Sequence, residues 1–288
     1  MSDITVINDS QQSDLVTNGL AKNGELYLKA AGSTNAGAIV AYDNGSWRTF
    51  ADESASYVND YSLQFDAVDD GLLAGSSFQL SGSSAWTVSF WIQGVSLSGN
   101  QNTWAIFNSE AKGYSGNSYF QYGARQVNGD AFILVVDASI TAGNNSKGTG
   151  GYAFSGYQTY LTSTGWNHIA YTNDGSGTRK LYANNNLIAT ITGCTGNFFA
   201  DGNYIYGKPA THNGLQVRMD EVALIPSDLS GSMSSLYNSG VADDLSSYSP
   251  TNWWRMEDNS GSTVTDEGSA GNDATIQNQA SFSSDTPS

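Results

Sequence analysis

Trp86-Thr87-Val88-Ser89-Phe90-Trp91-Ile92-Gln93 decides the fold class. Trp86, Val88, Phe90 and Ile92 alternate with Thr87, Ser89, Trp91 and Gln93, the period of two that gives a strand one buried face. Leu63 and Phe65 alternate with Gln64 and Asp66 in the same way. Ala131 to Val136 is apolar at every position and reads as a central strand, covered on both faces. Trp166 to Tyr171, Arg179 to Ala183 and Leu187 to Thr192 form a meander, turning through Asn173-Asp174-Gly175-Ser176-Gly177 and Asn184-Asn185-Asn186. Val217 to Leu224 is a further strand. After Pro226 comes a short helix with Leu229, Met233, Leu236 and Tyr237 at helical spacing, Asp228 as its cap and Gly240 as its stop.

The composition agrees with many short strands joined by polar turns. Charged residues make up 13% of the 288, glycines number 32 and prolines 4, and 16 Tyr, 11 Phe and 7 Trp are too many for a disordered chain. The net charge of −16 repels phosphate backbones and anionic membranes, so nucleic acid and membrane are excluded as expected partners. No stretch reaches the ~18 to 20 apolar residues that span a bilayer. Met-Ser-Asp-Ile-Thr-Val at the start carries no signal-peptide pattern, so synthesis in a cytoplasm is expected. The single Cys194 allows no intramolecular disulfide.

Three segments follow. Residues 1–56 are an N-terminal segment with a hairpin at Asn44-Gly45, between Ala38 to Tyr42 and Ser46 to Phe50, and a short strand from Glu25 to Ala30. Residues 57–240 form the main all-β domain, and residues 241–288 a C-terminal extension that packs on it or on a neighbouring subunit. From Ala142 to Thr164 runs a Gly, Ser, Asn and Tyr-rich stretch longer than an ordinary hairpin loop, either a binding surface or a loosely ordered insertion.

Five stretches in order resemble the laminin G-like family of the concanavalin A-like lectin/glucanase superfamily. Tyr61-Ser62-Leu63-Gln64-Phe65-Asp66-Ala67-Val68-Asp69-Asp70-Gly71 is similar to its Phe-Asp-Gly-x-Asp-Asp strand and turn, and Trp86 to Ile92 to its Phe-Thr-Val-Ser-x-Trp-Val strand. Trp166-Asn167-His168-Ile169-Ala170 resembles Trp-His-His-Val-Ala, and Leu181-Tyr182-Ala183-Asn184-Asn185 resembles the Leu-Tyr-Val-Asn-Gly hairpin. Met219-Asp220-Glu221-Val222 matches the closing Asp-Glu-Val strand. Ala67, Asn167 and Asn185 or Asn186 depart from the pattern without breaking it. The resemblance implies an antiparallel β-sandwich of jelly-roll type. Trp253-Trp254-Arg255-Met256-Glu257-Asp258 through Asp266, Gly268 and Gly271-Asn272-Asp273 resembles an element that opens such domains, but here it follows the domain. That placement, with the hairpin Tyr42 to Arg48, is similar to structural proteins of tailed phages, marine ones included.

Glucanases of this superfamily use two carboxylates on one strand face. The chain has six glutamates (25, 53, 110, 221, 257, 267), and no strand carries two at that spacing. His168 and His212 lack a nucleophile elbow around any serine, and one Cys with two His argues against zinc. No catalytic residue is expected. Asp69, Asp70 and Asp220, with Asp66 as a weaker member, offer hard oxygen ligands for a structural Ca²⁺, which the resemblance also implies; the alternative is an ordinary Asp-Asp-Gly turn. Trp104, Tyr114, Tyr119, Tyr152 and Tyr157 are candidates for stacking on sugar rings, or else core residues.

Three functions stay open: a non-enzymatic virion structural protein (capsid decoration or tail fibre), a carbohydrate-binding adhesin, and a glycoside hydrolase. The first places the chain in a virion with other virion proteins and copies of itself as partners. The second adds a cell-surface glycan and an extracellular alternative.

Overall fold

The structure, a computed structural model, describes residues 5–7, 10, 11, 15, 26–29, 39–43, 46–50, 57–66, 69–95, 102–108, 119–124, 131–137, 160–207 and 216–288. The chain divides into two compact units, Met1–Val58 and Asn59–Ser288.

In the first unit β1 (Thr5–Ile7), β2 (Leu26–Lys29), β3 (Ile39–Asp43) and β4 (Ser46–Phe50) form one sheet in that order. Asp43 faces Ser46 across the β3–β4 ladder, leaving only Asn44-Gly45 between the strands, as an Asn-Gly hairpin signal requires.

The second unit is a sandwich of two sheets. One contains β5 (Ser62–Phe65), β7 (Ala85–Gly94), β11 (Asn167–Asp174), β12 (Thr178–Ala183), β13 (Asn186–Thr192), β15 (Val217–Ile225), β16 (Asn252–Trp254) and β19 (Ser281–Ser283). Its order is β13-β12-β11-β7-β15-β5-β19, with β16 also on β15. The other contains β6 (Gly71–Leu80), β8 (Asn102–Asn108), β9 (Tyr119–Ala124), β10 (Ala131–Val136), β14 (Phe198–Tyr206), β17 (Thr263–Val264) and β18 (Ala274–Gln277), in the order β10-β9-β8-β14-β6-β18-β17. All of their pairings are antiparallel. The inner faces meet through rings from both sheets: Phe90 against Phe107 and Phe120 at 6.0 and 5.3 Å, Phe65 on Tyr206 at 3.8 Å and Trp86 on Phe198 at 5.7 Å.

Three expectations are corrected. β7 is buried on both faces, because its outer face lies under other parts of the chain. There Trp91 packs on His168 and Tyr237, and Thr87 bonds Ser227 and Leu229. Second, Ala131 to Val136 is the terminal strand of its sheet among the described residues, not a central one. Its apolarity reports cover over the faces, which says nothing about lateral neighbours. Third, α1 (Met233–Tyr237) is preceded by Ser232 without a side-chain cap; Asp228 instead accepts Ser230 N at 2.9 Å in the turn before it. The helix ends at Asn238, in left-handed conformation with φ 42°, two residues before Gly240.

The C-terminal segment belongs to both sheets. β16 pairs with β15, β18 fills the place beside β6 and β19 covers the edge of β5. The tail is then pinned by Asp285, which accepts from Arg218 at 2.7 Å and from the Trp166 indole at 3.0 Å.

β15 changes neighbour midway, from β5 up to Met219 to β16 from Val222. Its register against β7 shifts between Asp220 and Ala223, and Glu221 there has φ 48°. A non-glycine residue in this region is strained by about 1–3 kcal/mol. At this bulge Glu221 accepts from the Trp253 indole at 2.5 Å and from Arg255 at 3.3 Å, bonds that offset the strain.

Candidate functional site

The chain leaves β5 at Phe65 and re-enters the other sheet at Gly71, and this crossing gathers Asp66, Asp69 and Asp70. Their carboxylate oxygens lie within 4.8 Å of one another. Asp70 is 5% exposed; one of its oxygens accepts Asp66 N at 2.6 Å and the other Gln279 N at 2.9 Å. Gly207, at φ 81°, closes over the turn where any Cβ would strike the Asp70 carbonyl. Burial pushes the Asp70 carboxyl above the usual carboxylate range, against the pull of those two amides, and the charges of Asp66 and Asp69 push the same way. Three convergent oxygen donors, one held buried at an electrostatic cost that a cation would relieve, fit Ca²⁺ with water or carbonyls completing its shell. Asp66 thus belongs fully to the group.

Asp220 does not join it. At the bulge of β15 it is fully buried, accepting Asn59 Nδ2 at 3.1 Å and Glu221 N at 2.8 Å. Burial, and then the neighbouring Glu221, push its carboxyl well above the ordinary range. Glu257 accepts the amides of Tyr61 and Asp60 at 3.0 and 3.2 Å, and burial raises its carboxyl too. The sequence groups Asp220 with Asp69 and Asp70 by its place in the closing strand, and nothing local shows which buried neighbours that strand position meets.

These shifts have one sign. With the folded pKa above the unfolded one, the unfolded chain loses its proton first, so stability is complete below the carboxylate range and falls as pH rises through the folded pKa. Asp220→Asn should therefore flatten the loss of stability that sets in as pH rises above the ordinary carboxylate range. The buried Asn59 Oδ1 lacks a partner and could accept from the new amide once turned over. Urea unfolding at several pH values reads this out; an equal loss at every pH would show that the carboxyl's titration contributes nothing.

His168 Nε2 and Ser89 Oγ are 2.8 Å apart, the spacing of a nucleophile and its base. Both are sealed, at 1% and 2% exposure, under Trp91 and Tyr237, and burial lowers the His168 pKa to about 3. The pair ties β7 to β11. Of the stacking candidates, Tyr119 is buried in β9 and Trp104 lies on β8, whereas Tyr114, Tyr152 and Tyr157, like His212, lie outside the described residues.

Two antiparallel sheets, a closing strand with its short helix and an acidic crossing at the rim define a jelly-roll sandwich of the lectin type. A family profile described as the concanavalin A-like lectin/glucanases superfamily, laminin G-like branch, matches residues 66–233, and the chain belongs to this family. No curated protein sequence matches it. Among solved structures it is similar to a candidate carbohydrate binding protein from Bacteroides ovatus ATCC 8483 at 15% identity and TM-score 0.50, over 91% of this chain and 70% of that one. A heptameric SAP-like pentraxin from Limulus polyphemus aligns at 11% identity and TM-score 0.41, over 62% and 82%. Botulinum neurotoxin type C, whose cell entry depends on two ganglioside molecules, aligns at 17% and 0.35, over 73% and 50%.

Proposed function

We propose that the chain is a non-enzymatic carbohydrate-binding module with a Ca²⁺ ion on Asp66, Asp69 and Asp70. The superfamily holds lectins and glucanases, and the state of the carboxylates carries the choice between them. Retaining hydrolysis needs two carboxyls about 5 Å apart facing a substrate cleft. Among the described residues, Asp220 and Glu221 are adjacent but sealed, at 0% and 2% exposure, Glu221 is already engaged by Trp253 and Arg255, and in the close group of Asp66, Asp69 and Asp70 both Asp70 oxygens are held by backbone amides. Glu257 is spent on two backbone amides and Glu267 sits at the surface beside Arg255, 3.6 Å away. The Bacteroides ovatus protein of the same fold points in the same direction.

The bound ion would fix the crossing between the sheets and present open coordination positions to sugar hydroxyls. A glycan array probed with the full chain, with calcium and with chelator, tests the reading; no retained glycan in either buffer would sink it. Calcium should also raise the melting temperature, by the equivalent of about 2.7 kcal/mol at a hundredfold excess over Kd. Asp70→Asn should abolish that shift.

A virion role remains the second reading, favoured by residues 1–58 forming a unit of their own. In it, that unit would anchor the module to neighbouring virion proteins or to copies of itself, while the sandwich engages the host surface. Light scattering on the full chain beside residues 59–288 tests it: a multimer that becomes monomeric without the first unit supports anchoring, and two monomers oppose it.

A further inference from the structure

At the far end of β6 from the acidic crossing, a cleft of about 390 Å³ opens between the β6–β7 corner, the end of β15 and the C-terminal loops. Ser76, its first lining residue on β6, is six residues beyond Asp70, roughly 20 Å along an extended strand. The size is that of a small-ligand site.

Its wall is built by a buried carboxylate. Asp266, 5% exposed, accepts from Asn252 Nδ2 at 2.7 Å, Trp253 N at 2.6 Å, Gly268 N at 2.9 Å and Asn272 N at 2.7 Å. That hub aims Asn272 at β6, where its amide bonds both Ser76 N and Ser76 O, at 2.7 and 3.0 Å. The wall is thus fastened to the strand that supplies the cleft's other side. Trp86 spends its indole N–H on Ser81 O at 2.9 Å and so offers the cleft only carbon.

None of the sixteen lining residues is charged, in a chain of net charge −16. The exposed Pro226 and Ala270 and the half-buried Ala85 give carbon surface above the buried rings of Phe78 and Trp86, whereas Gln79 and Thr251 give an amide and a hydroxyl at the rim. A charged ligand would lose hydration here without an ionic partner, which is costly. A ligand with one apolar face and a hydroxylated edge matches both halves of the lining. The geometry points to a second saccharide subsite that takes an uncharged pyranose by its C–H face, without a cation. This rests on the carbohydrate-binding reading and adds to it a ligand class and a place.

The test measures retention of the full chain on immobilised cellohexaose, chitohexaose and mannohexaose, with sialyllactose as the anionic probe, in calcium and in EDTA. Ser77 lines the mouth and is exposed, so Ser77→Trp fills the entrance without disturbing the core. Gln79→Ala serves as a milder second variant. The expected result is retention on a neutral probe in EDTA that falls about tenfold or more in Ser77→Trp, at an unchanged melting temperature. Retention in EDTA that both variants leave intact, or that only sialyllactose gives, overturns the subsite. Retention in calcium alone also overturns it but leaves the carbohydrate-binding reading standing. No retention on any probe in either buffer overturns both.

Discussion

Asp137→Ala should lower the unfolding free energy by about 3–5 kcal/mol, the cost of leaving a buried charge without its partner. Asp137, just after β10, and Arg179, on β12, are both 0% exposed and form an ion pair between the sheets. The Tyr171 hydroxyl donates to the same carboxylate at 2.8 Å. Arg179 donates further to Asn173 Oδ1 at 3.3 Å and to the Gly196 carbonyl, and its guanidinium lies 5.2 Å from the Trp86 ring. With the carboxylate gone, the guanidinium stays buried among aromatic rings, with the Asn173 and Gly196 oxygens still accepting from it. Replacing both partners with apolar residues, Asp137→Leu with Arg179→Met, should recover most of the loss, since burying a pair costs nearly what its attraction returns. Urea denaturation of the two single variants and the double variant measures this. A double variant as unstable as the sum of the singles would show that the pair's geometry, not its charge balance, holds this part of the core.

That pair illustrates what sequence alone could and could not show. Alternation in Trp86 to Gln93, the turn at Asn184-Asn185 and the order of the family stretches placed β7, β11, β12, β13 and β15, because those signals act within one strand or one hairpin. Asp137 and Arg179 are 42 residues apart, and no local pattern announces that they meet. The same holds for Ser89 with His168, 79 residues apart and one hydrogen bond. The acidic crossing was legible because Asp66, Asp69 and Asp70 sit within one turn. Asp220 lies apart because its buried partner, Asn59, is 161 residues away in sequence and no local pattern pairs them. The cleft was not foreseen: its lining comes from four separate stretches, and its organiser, Asp266, reads in sequence as one more loop aspartate.

A chain ending at Gly240 should fail to fold cooperatively, although the sequence places the end of the domain there. Residues 241–288 carry Trp254, Met256, Val264 and Ala274, all at 0% exposure within the common core. Trp254 reaches into it, 5.9 Å from Phe78, and fixes the loop after it by donating its indole N–H to the Asn272 carbonyl at 2.9 Å. Truncating a buried tryptophan to alanine costs about 3–5 kcal/mol. Losing it together with three further core residues removes a sum comparable with the roughly 5–15 kcal/mol by which domains are stable at all. The deletion also strips β18 from β6 and β19 from β5, opening an edge in each sheet that invites pairing between chains. Soluble expression, near-ultraviolet circular dichroism and a urea melt compare the truncation with residues 59–288. A sharp transition in the chain ending at Gly240 would refute the assignment of the C-terminal segment to the core. Absence of one, beside a cooperative melt for 59–288, would mean that the tryptophan-rich element completes the sandwich from behind the stretch that carries the family motifs.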